Sequence, residues 1–315
     1  MSAALVDQQE HAYRSGHELI AASRRLLPED QDLVDRLSDI AGQLRPNETF
    51  APYLTGYPLP SGADYVLART WQDLEAPRSG CVRTRSLLIP MESWLTMNGV
   101  DALLPLLRPV QFNKHLTALT PSASPTVPIP VQDPRKIELV EALFLEARQP
   151  IIIFDAPEAE AIIVRILSAL WPGVKRNFAV CSFTLAPRTL EGRDFDLQFA
   201  PKNARSRFAS WAGRRIDAAT VKDGRHRWSL QISKQVFDSD QPSLLLADEL
   251  GSLRSDLKAD ESALRLSMLW NELVAKAKTT PSAVLGMLDI LNSQVAFRID
   301  EERLSVLIKD AADLA

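Results

Sequence analysis

Apolar and polar positions along the chain follow two periods, one of about two residues and one of about 3.6, and the switches between them mark its elements. In HAYRSGHELIAAS, residues 11–23, Ser15-Gly16 separates two short extended runs, a composition suited to a tight hairpin because glycine tolerates positive φ. A two-residue turn there pairs Arg14 with His17, Tyr13 with Glu18, Ala12 with Leu19 and His11 with Ile20. DQDLVDRLSDIAGQL then places Leu33, Val34, Leu37, Ile40, Ala41 and Leu44 on one helical face, with Gly42 and Pro46 as stop signals. YLTGYPLP, ADYVLARTW and GCVRTRSLLIP read as three more strands, and Met91 to Leu107 as a helix. The pattern predicts an antiparallel sheet with a few helices, an α+β fold.

Five of the 21 prolines fall in TPSASPTVPIPVQDP, Thr120 to Pro134. Proline removes a backbone donor and biases the preceding residue away from helix, so this stretch is expected to be an extended linker. Beyond it, RKIELVEALFLEA and EAEAIIVRILSALWP read as helices, PIIIFDA as a buried strand, and NFAVCSFTLA and DFDLQFAP as strands. The last alternates Phe195, Leu197 and Phe199 against Asp196 and Gln198. From Ser243 onward amphipathic helix dominates. The expected organisation is an α+β module over 1–119, a linker over 120–134, a basic α/β or α+β region over 135–242 and a helical region over 243–315.

Composition narrows the function classes. The 315 residues are 46% hydrophobic and 24% charged, and uncharged apolar runs such as the one around Ile151 to Phe154 are short, so no membrane span is expected. The start of the chain meets Asp7 and Glu10 before any apolar stretch, which is unlike a signal peptide and points to the cytoplasm. The two cysteines, Cys81 and Cys181, form neither a disulfide framework nor a zinc ligand set. Phosphate-loop, dinucleotide, zinc-protease and nucleophile-elbow motifs are absent, and histidines number four, so no catalytic residues, metal or cofactor are expected. The net charge of -4 is a cancellation: residues 1–134 carry 15 acids and 11 bases, 135–229 carry 11 and 16, and 230–315 carry 14 and 9.

Three constellations stand out. In the two-residue hairpin register His11 and His17 fall on opposite faces and cannot share a metal ion. Lys202 to Trp228 contains Lys202, Arg205, Arg207, Arg214, Arg215, Lys222, Arg225 and Arg227, interleaved with Phe208, Trp211 and Trp228. A phosphate backbone with stacked bases would use such a set, so nucleic-acid binding through Arg205, Arg207, Trp211, Arg214, Arg215, Arg225, Arg227 and Trp228 is the alternative reading. An intramolecular partner in the acidic C-terminal part explains the same charges. Asp194 and Asp196 have strand spacing and would point the same way, as a metal or acid/base pair does, with no third ligand nearby in sequence.

Taken in order, HAYRSGHELIAAS, LVDRLSDIAG, FAPYLTGYPLP, YVLARTW and RSGCVRTRSLLIP resemble the N-terminal domain of bacterial GTPase-associated proteins of type one, over roughly residues 8–110, with FDLQFAP at 195–201 a weaker continuation. The family usually carries a G-Y and a D-G where Ala12-Tyr13 and Ser15-Gly16 stand here, and a histidine where Arg85 stands; its members tend to be longer. The resemblance implies a non-catalytic regulatory or adaptor subunit of a bacterial conflict or anti-phage system, whose partner is a GTPase or another effector protein encoded nearby. On that reading the partner-binding residues are Tyr13, Arg14, Gly16 and His17 at the hairpin, together with Tyr57, Arg69, Trp71 and Arg85.

Overall fold

The computed structural model describes residues 5–45, 48–76, 80–97, 99–109, 115–121, 129–217, 224–245, 261–277 and 279–292, with 305, 306, 308, 309 and 312. Pro46, Lys222, the linker segment 122–128 and most of 243–315 outside the helices named below lie outside the described residues. Eleven strands are β1 Asp7–Tyr13, β2 His17–Ala22, β3 Tyr53–Pro58, β4 Asp64–Gln72, β5 Val82–Pro90, β6 Ile151–Phe154, β7 Val180–Cys181, β8 Thr189–Leu190, β9 Arg193–Asp194, β10 Leu197–Ala200 and β11 Arg214–Ile216. Nine of them form one sheet in the order β11-β6-β10-β7-β3-β4-β5-β1-β2, and β8 and β9 form a separate hairpin. β1 to β5 are antiparallel to their neighbours, whereas β6 runs parallel to β10 and β11, and β10 parallel to β7. The fold is α+β, as its pattern predicts.

The sheet is continuous across 1–119 and 135–242, because β7 pairs antiparallel with β3 through Thr55↔Cys181 and Gly56↔Val180. Gly56 makes this join possible. A Cβ there would lie 2.7 Å from Tyr65 Oη and 3.1 Å from Val180 Cγ2, and the space it leaves lets the Tyr65 hydroxyl donate to the Phe178 carbonyl at 2.8 Å. Ser182 adds a reciprocal pair with Leu54, its N–H donating to the Leu54 carbonyl and its Oγ accepting the Leu54 N–H, each at 2.8 Å.

Both faces of the central strands are covered, so their apolar runs are nearly unbroken. One face, with Leu54, Tyr65, Leu67, Leu87 and Ile89, packs under α2 Met91–Thr96, a 3-10 turn over Asp101–Leu107, α3 Lys136–Val140, α4 Ala159–Ala169 and α6 Ser229–Phe237. The other, with Tyr53, Tyr57, Val66, Ala68 and Leu88, packs under α1 Pro28–Ser38 through Leu33, Val34 and Leu37. α5 Pro172–Lys175 abuts α2. There the Trp94 indole donates to the Lys175 carbonyl at 3.3 Å, and the Lys175 ammonium lies 4.5 Å from the Trp94 ring and donates to the Met97 carbonyl. Burial pushes the Lys175 pKa down to about 8. Toward the C-terminus, α7 Ser262–Ala277 and α8 Pro281–Asn292 form a helical pair.

Several elements depart from the pattern for identifiable reasons. α1 stops at Ser38, where Arg188, buried, donates to the Leu37 and Asp39 carbonyls and caps its C-terminus. Ile40 and Leu44, expected on its apolar face, pack instead with Ile152, Phe154 and Phe208. The stretch Met91 to Leu107 is two pieces rather than one helix, with Pro105 inside the 3-10 turn. RKIELVEALFLEA changes from α3 to a π turn over Glu141–Leu145. The Glu141 carboxylate there accepts the N–H groups of Arg225 and His226 at 2.5 and 3.0 Å and the Ser229 hydroxyl, at the start of α6. Asp196 and Gln198 do not face solvent: Asp196 accepts the Ala179 N–H at 2.8 Å and Gln198 the Arg188 N–H at 2.8 Å.

Gly56→Ala is expected to destabilise the chain by about 1–3 kcal/mol in equilibrium denaturation, because the added methyl overpacks the Tyr65 and Val180 contacts. Adding Tyr65→Phe removes the nearer of those contacts. The double variant is therefore expected to lose less than the two single losses combined.

Candidate functional site

The β1–β2 hairpin differs from its expected register. A bulge at Glu10/His11 and a three-residue loop, Arg14-Ser15-Gly16, pair Tyr13 with His17, Ala12 with Glu18 and His11 with Leu19. The Arg14 N–H closes the loop on the Gly16 carbonyl at 2.9 Å. The longer loop moves His17, Glu18 and Leu19 to the other face, while beyond the bulge Ala21 and Ala22 keep the two-residue register, and the separation of the histidines is overturned. Their rings stack with centroids 5.9 Å apart. His11 Nε2 lies 2.8 Å from Asp35 Oδ1 and His17 Nε2 lies 2.8 Å from Ser38 Oγ, both partners on α1. The two rings are thus engaged by α1, and among the described residues no three metal-ligating side chains gather.

The strand that carries this hairpin is polar yet buried. On one face of β1, Gln9 exchanges amide hydrogen bonds with Gln31, and Gln31 donates in turn to Asp35 at 2.6 Å. Burial acts to raise the Asp35 pKa, but the hydrogen bonds from His11 and Gln31 outweigh it and hold the carboxyl below its usual value. On the opposite face Glu10, 1% exposed, receives Arg83 and Arg85, and Arg85 reaches on to the Arg108 carbonyl at 3.3 Å. Burial is the largest influence on His17. Asp39 opposes it, the neighbouring His11 ring adds to it, and the net pKa is lowered.

The eight residues expected to meet a partner therefore divide. Tyr13, Arg14, Gly16 and His17 gather at the hairpin tip, with Arg14 and Gly16 exposed and the other two half-buried. Trp71 and Arg83 lie at the same end of the sheet, because β1 and β4 both pair with β5, and residues 73–76 follow the last β4–β5 pair, Gln72↔Val82. The Arg83 guanidinium sits 5.6 Å from the Trp71 ring, and Leu74 in that turn is 81% exposed. Leu74 carried no signal in the sequence beyond being apolar next to Asp73. The others face inward: Tyr57 is wholly buried in the α1 core, Arg85 is buried on Glu10, and Arg69 pairs with Glu160 of α4.

Most arginines in the described part of the basic stretch contact this chain itself. Arg205 pairs with Asp217 and lies over Phe154, Arg214 pairs with Glu138 and Glu146, and Arg227 pairs with Glu272 of α7 and lies over Trp228. Arg207 donates to the Gln43 carbonyl at 2.7 Å and Arg215 to the Trp211 carbonyl at 2.7 Å. Trp211 is buried, Trp228 packs against the main core, and Arg225 is exposed. Of these acids only Glu272 lies in the acidic C-terminal part, whereas Asp217, Glu138 and Glu146 belong to the basic region itself.

A His17 pKa lowered from 6.5 means that the unfolded chain binds this proton before the folded one does. Folding stability is thus expected to fall as the pH drops below about 6.5 toward the folded value. His17→Asn is expected to flatten that part of the stability profile, read from denaturation midpoints across the pH series.

Residues 5–107, which run from β1 to the end of the 3-10 turn, match the family model of the GTPase-associated protein 1, N-terminal domain type 1. No curated protein and no solved structure matches the chain. No helix among the described residues is long and apolar enough to cross a membrane. The matched stretch takes in the five antiparallel strands, the α1 cover and the polar β1 hairpin, and it is this third of the chain that is similar to the GTPase-associated protein 1 N-terminal domain of type 1.

Proposed function

We propose that the chain is a non-catalytic regulatory or adaptor subunit that binds a GTPase, and that it does so through the end of the sheet formed by the β1–β2 loop and the β4–β5 turn. The family match over residues 5–107 carries this reading. What supports the location is the exposure there of Arg14, Gly16 and Leu74, on a scaffold that α1 and the Glu10 ion cluster hold in place. An exposed cation and an exposed leucine at the same end of the sheet combine steering charge with apolar area, the mixture that anchors transient interfaces. Tyr13, His17 and Trp71 frame it. The setting proposed for this subunit is a cytoplasmic bacterial conflict system, and the GTPase is proposed to be encoded beside it.

The experiment is copurification of the full chain with the neighbour-encoded GTPase, followed by titration of the purified pair. Arg14→Glu combined with Leu74→Asp is expected to weaken binding at least tenfold while leaving the unfolding midpoint unchanged, since both side chains are exposed. A wild-type chain that captures no GTPase, or a double variant that binds as tightly as wild type, contradicts the reading.

A further inference from the structure

At the opposite end of the sheet from the hairpin tip, where β3 ends at Pro58 and β5 at Pro90, the chain forms an open cleft of about 550 Å³. That volume falls in the range of roughly 300–1,000 Å³ typical of small-molecule sites. Leu59, Met91 and Leu190 contribute apolar wall, and Arg148, Arg176 and Arg193 contribute three guanidinium groups. The wall comes from both sides of the β3–β7 join, so the cleft exists only once the sheet is assembled. Leu190, Glu191 and Arg193 are presented by the β8–β9 turn, whose central residues Glu191 and Gly192 both have positive φ, +50° and +82°. Such a turn is rigidly defined and matches the twist of the two short strands.

The acids around the cleft leave it able to take an anion. Asp196 is 8% exposed and accepts hydrogen bonds from Arg148 at 2.7 Å, from Arg193 at 3.1 and 3.2 Å, and from the Ala179 N–H at 2.8 Å. It is therefore saturated from within and orients two guanidinium groups. Glu261 pairs with Arg148 at 3.3 Å and is nearly buried, and Arg193 also donates to the Asn177 carbonyl at 2.7 Å. Glu191 is the acid on the rim. Arg176, exposed beside these groups, makes no side-chain hydrogen bond or ion pair with a described residue. A guanidinium with five donors and no internal carboxylate, next to two others already held in place, is an arrangement that takes phosphate oxygens in bidentate fashion.

We propose that this cleft binds a small organic phosphate of mononucleotide size, with Arg176 and its neighbouring arginines on the phosphate and the Leu59, Met91 and Leu190 wall against the organic body. It is independent of the surface proposed above for the GTPase, at the other end of the sheet. Calorimetric titration of the full chain with GDP, ADP and inorganic pyrophosphate tests it. The expected result is that at least one nucleotide binds and does so more tightly than pyrophosphate. Arg176→Gln is expected to weaken that binding at least tenfold, and Arg25→Gln, at an exposed arginine outside the cleft, to leave it unchanged. Absence of nucleotide binding at millimolar concentration, equal affinity for pyrophosphate, an unchanged Arg176→Gln, or an equal loss in Arg25→Gln would each overturn the proposal.

Discussion

Where two strands from distant parts of a chain are to be zipped into one sheet, their backbones must approach closely along the whole join, and here that approach is set at Gly56. Without a side chain at this position, the Tyr65 ring lies across β3 and its hydroxyl reaches the Phe178 carbonyl, just before β7. The strand pairing Thr55↔Cys181 and Gly56↔Val180 is short, so most of its strength comes from what surrounds it. Ser182 and Leu54 exchange hydrogen bonds next to it, Lys175 and Trp94 lock α5 to α2, and Arg188 ties the segment after β7 to the end of α1. Everything placed by the sheet's far half, including the cleft arginines, depends on this join.

The other half has a different economy. β1 is buried between β5 and β2, yet Gln8, Gln9, Glu10 and His11 follow one another along it. Buried polar groups are costly unless satisfied, and each of these side chains has at least one partner from a specific place, Thr117 for Gln8, Gln31 for Gln9, Arg83 and Arg85 for Glu10 and Asp35 for His11, while Gln8 Oε1 and His11 Nδ1 are buried without one. An apolar strand would tolerate a slip in register, whereas this one loses all four partnerships together. The polar strand thereby fixes the geometry of the hairpin whose loop is exposed at the tip.

Much of this architecture was legible along the chain, and the reasons for the exceptions are physical. The strands of Tyr53–Pro58, Asp64–Gln72 and Val82–Pro90 announced themselves through β-branched and aromatic runs between turn residues. The hairpin was legible but its register was not, because the bulge at Glu10/His11 leaves no compositional mark and shifts the loop by one residue. That single residue separates histidines on opposite faces from histidines that stack. Lys202 to Trp228 read as a basic strip because its carboxylate partners, Glu138, Glu146 and Glu272, lie tens of residues away in sequence. The cleft could not be read at all, since Leu59, Met91, Arg148, Arg176 and Arg193 come from separate stretches and no spacing links them.

The β3–β7 join makes residues 5–107 and the strands that follow one sheet, which is expected to unfold as one cooperative unit. Hydrogen–deuterium exchange of the full chain along a denaturant series measures this directly, strand by strand. Amides of β3, β4 and β5 are expected to lose protection at the same denaturant concentration as those of β6, β7 and β10. Persistence of protection in β3 to β5 after β6, β7 and β10 have opened would contradict it.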